Sequence, residues 1–304
     1  MTGTALITGG SGLLGVNWAL TIRDDFQVTL AIHQREIAVQ GVSTMSIDLE
    51  SGNDLKRALS ELQPHLVVHA AGLTSVESCE ANPELAYRIN VQLAANVASA
   101  CAAFGLPLVH ISTDHLFSGA SALVDENAPI EPRNAYARSK AEAEARVFDA
   151  HPRALVIRTN FFGWGPGYRR SFSDLIIDSL RQGETLTLFE DVFFTPIVAA
   201  ELIRAAHQLQ AINVAGIVNV CGDERVSKLE FGMRLASIFG LDDSLIRPGS
   251  VANQPGLVQR PHDMSLSNKK ASALLGRELG GLDKQLAVLL QQQQLGFANE
   301  VLSI

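Results

Sequence analysis

Cysteine is scarce. Cys79, Cys101 and Cys221 are the only three in 304 residues. Their number is odd and their spacing matches no metal-ligand motif, so neither a disulfide framework nor a cysteine metal site is indicated. They read as reduced packing thiols in a cytoplasmic protein. Positive charge is scarce as well. With 24 Lys and Arg against 32 Asp and Glu, the formal charge is −8, which gives no support to a nucleic-acid surface. The imbalance is too small to indicate disorder. No apolar run approaches the ~18 residues that span a bilayer. The first residues lead directly into an apolar strand pattern, so no secretory leader is expected. Repeats are missing, and the one low-complexity stretch, Gln291 to Gln294, reads as a polar helix end. What is present is 47% hydrophobic content, enough to bury a large core in one domain or two.

Strand and helix signals alternate along the chain. Strands are expected at Thr4 to Thr8, Gln27 to Ile32, Ser43 to Ile47, His65 to Ala70, Pro107 to Ser112 and Ala154 to Thr159. Helices are expected to follow the first glycine-rich turn and to run over Asp54 to Leu62, Pro83 to Phe104 and Asn134 to Ala150. This pattern predicts an α/β fold of Rossmann type, a doubly wound parallel sheet with helices on both faces. Further on, Phe194 to Val198 and Gly216 to Val220 read as strands returning to the sheet. Helical segments are expected at Ser227 to Phe239, Ser267 to Leu275 and Leu282 to Gln293. The resulting division is a dinucleotide-binding domain over residues 1–165, rejoined by segments near 190–225. Residues 166–304 mainly form a smaller C-terminal substrate-binding lobe, with a ligand cleft between the two.

The turn after the first strand is Gly9-Gly10-Ser11-Gly12-Leu13-Leu14-Gly15. Glycines at 9, 12 and 15 differ by one position from the usual dinucleotide fingerprint, but the physics is shared. They permit a tight turn and close backbone approach to a pyrophosphate, which the positive end of the following helix attracts. Gly15 is expected to let that helix pack closely on the strand. At the end of the second strand, an NAD site usually carries a carboxylate for the ribose 2′-hydroxyl. This chain has His33-Gln34-Arg35 there, and Arg35, with help from His33, suits a 2′-phosphate. NADP is therefore favoured, with NAD the alternative.

Tyr136 and Lys140 stand four apart on a predicted helix and share a face. A neighbouring cation lowers a phenol's pKa and allows it to serve as an acid or base near neutrality. The stretch Phe161-Phe162-Gly163-Trp164-Gly165-Pro166-Gly167 is aromatic and turn-rich. It reads as a hydrophobic plug or as a wall over a ring-shaped ligand. His69 and His110 lie on apolar strands and read as core histidines.

Several ordered motifs together resemble the extended short-chain dehydrogenase/reductases, and within them the dTDP-4-dehydrorhamnose reductase group. They are Thr8 to Gly15, His69 to Thr74, Ala86 to Asn90, Ile111 to Asp114, Phe117 to Gly119, Asn134 to Lys140, Arg158 to Asn160, and Arg260-Pro261 followed by Lys269. The resemblance covers nearly the whole chain. It implies a catalytic trio of Thr113, Tyr136 and Lys140, with Tyr136 as proton donor, Lys140 on the cofactor ribose and lowering the tyrosine pKa, and Thr113 on the substrate oxygen. Cofactor contacts are implied at Gly9, Ser11, Gly12, Leu13, Leu14, Gly15, Asp48, Leu49, Ala70, Ala71, Gly72 and Thr159, with Asp48 meeting the adenine. Asn90 is implied as a structural support behind the site. Substrate contacts are implied at Thr74, Thr113, Asp114, Asn160, Phe161 and Arg260, the last on a diphosphate.

The ligand implied is a nucleotide-linked 4-keto sugar, and a homodimer is compatible with the resemblance. His115 departs from the reductase group, which has tyrosine after Thr-Asp. The Gly-Trp-Gly-Pro segment is more like the epimerases. Alternatives on the same fold are a sugar-nucleotide epimerase or dehydratase, or a non-catalytic NADP-binding subunit such as the regulatory subunit of methionine adenosyltransferase. Dehydratases need an acidic residue where His115 stands. Double epimerases use a cysteine near the sugar, and none lies between Cys101 and Cys221. Both absences favour the reductase.

Overall fold

The computed structural model describes residues 3–253 and 256–304. Six strands, β1 (Gly3–Thr8), β2 (Phe26–Ile32), β3 (Ser43–Ser46), β4 (Leu66–His69), β5 (Leu108–Ile111) and β6 (Leu155–Arg158), join Gly216–Asn219 in one sheet. All pairs are parallel, in the order Gly216–Asn219, β6, β5, β4, β1, β2, β3. The short central strands β4, β5 and β6 are buried at every residue. Burial on both faces explains why they read as continuous apolar runs rather than alternating ones. The chain reverses direction across the sheet between β1 and β4, and ligands of such sheets bind beyond the strand ends at that crevice.

Helices α1 (Leu13–Ile22) and α2 (Gly52–Leu62) follow β1 and β3. After β4 come α3 (Val76–Ala81) and α4 (Pro83–Tyr87), a π-helical turn at Arg88–Gln92, and α5 (Leu93–Ala103). The long helix expected from Pro83 to Phe104 is therefore continuous in space but carries one wide turn. α3 was not anticipated. Its apolar content is small, with Val76 and Cys79 as its buried residues. Helix α6 (Ala135–Ala150) begins where Asn134 accepts a hydrogen bond from the Ala137 amide at 2.9 Å. An asparagine cap of this kind fixes the first turn and therefore the position of Tyr136.

One strand expectation fails. Phe194 to Val198 does not rejoin the sheet. Pro196 interrupts the run, and the two fragments, Phe193–Phe194 and Ile197–Val198, pair instead with Val226–Ser227 and Phe161–Phe162. A proline has no N–H for a ladder and divides the segment into two short bridges. Helices α7 (Phe172–Arg181), α8 (Ala199–Ala211) and α9 (Lys228–Phe239) follow. Phe162, Trp164 and Phe231 pack in the same apolar core as β1 and α1.

All three cysteines are free and buried. Burial pushes the thiols of Cys79, Cys101 and Cys221 up to about 11, 12 and 12. Thiols so held from ionising are packing groups, not nucleophiles.

Candidate active site

A cleft of about 670 Å³ opens at the C-terminal ends of β1, β4, β5 and β6. Its first wall is the glycine turn. Gly9 has φ +72°, and a Cβ there would stand 2.7 Å from the Ala71 amide nitrogen. A Cβ on Gly15 would stand 2.5 Å from the Gly9 carbonyl. Gly15 thus lets helix α1 pack tightly against the turn that ends β1. Helix α1 has no side-chain cap at Gly12 and no acidic residue in its first turn. By contrast, α2 is capped by Ser51 and carries Asp54. The uncapped end leaves amide donors and a positive dipole end for an anion. A pyrophosphate fits this cradle.

Tyr136 and Lys140 enter the cleft from α6, and Thr113 and Asp114 enter just beyond β5. All four are buried. Thr113 Oγ1 donates to Asp114 Oδ1 at 3.2 Å and accepts from the His115 amide at 3.3 Å. Asn160 Nδ2 donates to the other Asp114 oxygen at 2.5 Å. His115 meets the Tyr136 ring edge-on, with centroids 5.5 Å apart.

Lys140 does not depress the Tyr136 pKa as expected. Its ammonium donates to the Ile111 carbonyl at 2.7 Å and lies 3.4 Å from His110 Nε2. Burial pushes Tyr136 up to about 12, against a lowering contribution from Thr113. Burial also pulls Lys140 down to about 8, opposed by Glu144. The phenol is therefore a proton reservoir at neutral pH, and the lysine is still mainly cationic there.

Beneath the trio lies a polar layer that spacing alone did not reveal. Glu144, one turn beyond Lys140, pairs with Arg158 at 2.7 Å and accepts the Ser112 hydroxyl at 2.5 Å. Glu144 and Arg158 are 3% and 1% exposed, so this pair locks α6 to β5 and β6 inside the protein. Asn90, on the π turn, bonds the Leu73 amide at 2.7 Å and the Leu73 carbonyl at 3.0 Å. It also donates to Ser139 at 2.8 Å, and Ser139 donates to the Tyr136 carbonyl. His69 and His110 are stacked at 5.3 Å, and His69 Nδ1 meets Thr8 Oγ1 at 2.7 Å. Burial first, then the Lys140 charge, holds His69 at about 3 and His110 well below its ordinary value. Both are neutral core imidazoles.

The cleft brings together Gly9, Ser11, Gly12, Leu13, Leu14, Gly15, Arg35, Ala70, Ala71, Gly72, Thr74, Thr113, Asp114, Tyr136, Lys140, Thr159, Asn160 and Phe161. Four sequence candidates lie outside its lining. His33 and Asp48 are exposed, and one Asp48 oxygen accepts from the Glu50 amide. The Leu49 carbonyl accepts from Asn96. Arg260 is ion-paired with Glu77 of α3. The aromatic loop divides. Phe162 and Trp164 are core residues, whereas Phe161 and Tyr168 reach the cleft. Arg169, Arg170, Ser171 and Phe172 also line it and were not singled out by sequence. Polar residues next to an aromatic turn give no local signal of that placement.

The model of the RmlD substrate binding domain matches residues 3–295. A Haloferax volcanii protein described as "Probable low-salt glycan biosynthesis reductase Agl14" is 29% identical over 295 residues, covering 94% of this chain and 96% of its own. The methionine adenosyltransferase 2 subunit beta of Xenopus laevis is 26% identical over 274 residues, covering 88% of this chain and 80% of its own. Among solved structures, the dTDP-4-dehydrorhamnose reductase of Bacillus anthracis in complex with NADP superposes with a TM-score of 0.85. The two share 23% identity, over 96% of this chain and 100% of that one.

Proposed function

The chain belongs to the RmlD substrate-binding domain family, and from that premise we propose that it is an NADPH-dependent reductase of a nucleotide-linked 4-keto sugar. The observation that carries this reading is the convergence of Thr113, Tyr136 and Lys140 in one cleft with the uncapped glycine turn. Both halves of a carbonyl reduction need a place, and this cleft offers both: a cradle for a dinucleotide and a buried phenol for the proton. The glycine turn and α1 would hold the pyrophosphate, Ala70 to Gly72 would flank the ribose, and Arg35 would meet the 2′-phosphate. The bound cofactor would supply the hydride.

The protein's part is positioning and proton transfer. Tyr136 Oη donates its proton to the carbonyl oxygen of the sugar, which favours a protonated phenol at neutral pH. Thr113 would hold that oxygen by turning its one hydroxyl proton from Asp114 Oδ1 to it, while the His115 amide keeps Oγ1 in place. The Lys140 ammonium, fixed by the Ile111 carbonyl, keeps donors for the ribose hydroxyls. Phe161 and Phe172 supply flat apolar surface for the sugar or base. The test is a panel of nucleotide-linked 4-keto sugars incubated with NADPH, read as coenzyme oxidation and product mass. At least one should be reduced at the keto carbon. Binding of NADPH without turnover of any member would favour a binding subunit instead.

A pH dependence follows from Lys140. Its ammonium is present below about pH 8 and lost above. An anionic cofactor favours the charged form, so NADPH affinity should decline as pH rises through that value. Titrations on either side of about pH 8 should show the decline in the parent protein. Lys140→Met should bind more weakly with a flat profile over the same range.

A further inference from the structure

The Arg35 guanidinium lies 4.0 Å above the centroid of the Tyr168 ring. The two residues are far apart in sequence: Arg35 follows β2, and Tyr168 precedes α7. Both line the cleft. The Tyr168 hydroxyl donates to the Ser11 carbonyl in the glycine turn at 2.8 Å, which fixes the ring. The next residue, Arg169, donates to Thr74 Oγ1 beyond β4 at 2.8 Å. The segment thus straps across the dinucleotide cradle, tied on both sides.

Stacking engages the face of a guanidinium and leaves the in-plane N–H donors free. Among the described residues no carboxylate forms an ion pair with Arg35, and its side chain makes no hydrogen bond. A long, exposed arginine is thereby held at one place with its donors available. A phosphomonoester is the ligand such a planar fork suits.

We propose that Tyr168 is the positioning residue for recognition of the adenosine 2′-phosphate, holding Arg35 at the rim of the cleft. The inference rests on the NADP reading above and adds that selectivity for the phosphate is completed by a segment far from the cofactor motifs.

The experiment measures binding of 2′,5′-ADP and 5′-AMP to the full chain by calorimetry, so no turnover is needed. The parent should prefer 2′,5′-ADP. Tyr168→Leu removes the aromatic face and should weaken 2′,5′-ADP by about three- to five-fold, with 5′-AMP unchanged. Tyr168→Phe keeps the face and should keep the preference. Arg35→Ala should abolish the preference. If Tyr168→Leu retains the parental preference while Arg35→Ala loses it, the inference is overturned and the NADP reading stands. Equal weakening of both ligands by Tyr168→Leu overturns it too, since the strap would then support the cradle generally. A parent protein that does not discriminate would remove the NADP reading itself, and the inference with it.

Discussion

Tyr136→Phe should bind NADPH as the parent does and reduce a 4-keto sugar nucleotide about a hundred- to ten-thousand-fold more slowly. That range is the usual contribution of a positioned general acid. The substitution removes one hydroxyl from a ring packed against His115 and leaves the ring in place. The Tyr136 backbone carbonyl still accepts from Ser139, so the helix should not move. Steady-state rates and coenzyme titrations on the same preparation separate the two effects. A variant that turns over at the parental rate would show that the proton comes from elsewhere. A variant that loses coenzyme binding would show that the phenol serves the cradle rather than the chemistry.

The second large effect is on stability. Glu144→Gln should destabilise the fold by about 3–5 kcal/mol, the usual cost of leaving one member of a buried ion pair without its counter-charge. Arg158 is the charge left behind, 1% exposed, with only neutral acceptors: the amide oxygen of the new side chain and the Glu126 carbonyl at 3.3 Å. A loss of this size is a large share of the ~5–15 kcal/mol that holds a typical domain. Denaturant unfolding should show a lower midpoint at an unchanged slope. Replacing both residues with methionine should cost less than Glu144→Gln alone, because two desolvated charges leave together. If Glu144→Gln unfolds at the parental midpoint, the pair is not the strut that fixes α6 behind the site.

Much of this was legible in the sequence because local chemistry and global fold agree at the elements that matter. The central strands β4, β5 and β6 announced themselves as short apolar runs, and burial on both faces is the reason. Helix α6 was legible from Asn134 onward because a side-chain cap marks its start. The glycine turn was legible because Gly9, Gly12 and Gly15 stand where a Cβ would crowd backbone.

The misreadings have equally specific causes. Phe194 to Val198 has the composition of a strand, but Pro196 splits it. Tyr136 and Lys140 do share a helix face, yet spacing on one helix says nothing of β5, whose Ile111 carbonyl claims the ammonium. Depth of burial, which drives Tyr136 upward, is a property of the whole fold and not of the motif. The aromatic stretch read as plug or wall, and Phe162 and Trp164 are plug, with the Trp164 indole donating to the Leu289 carbonyl at 3.2 Å. The Glu144–Arg158 pair and the Tyr168–Arg35 stack join residues distant in the chain, and no local pattern encodes such meetings.

The central claim is hydride transfer to a sugar carbonyl in the cleft that holds Tyr136, and isotope transfer tests it most directly. NADPH carrying deuterium at the transferred position of the nicotinamide would be incubated with the protein and the 4-keto sugar nucleotide that the panel selects. The product would then be examined by mass spectrometry and NMR. The account predicts one deuterium in the product, bonded to C4 of the sugar, and no labelled product from Tyr136→Phe on the same timescale. Product without the label, or label at any carbon other than C4, would contradict it.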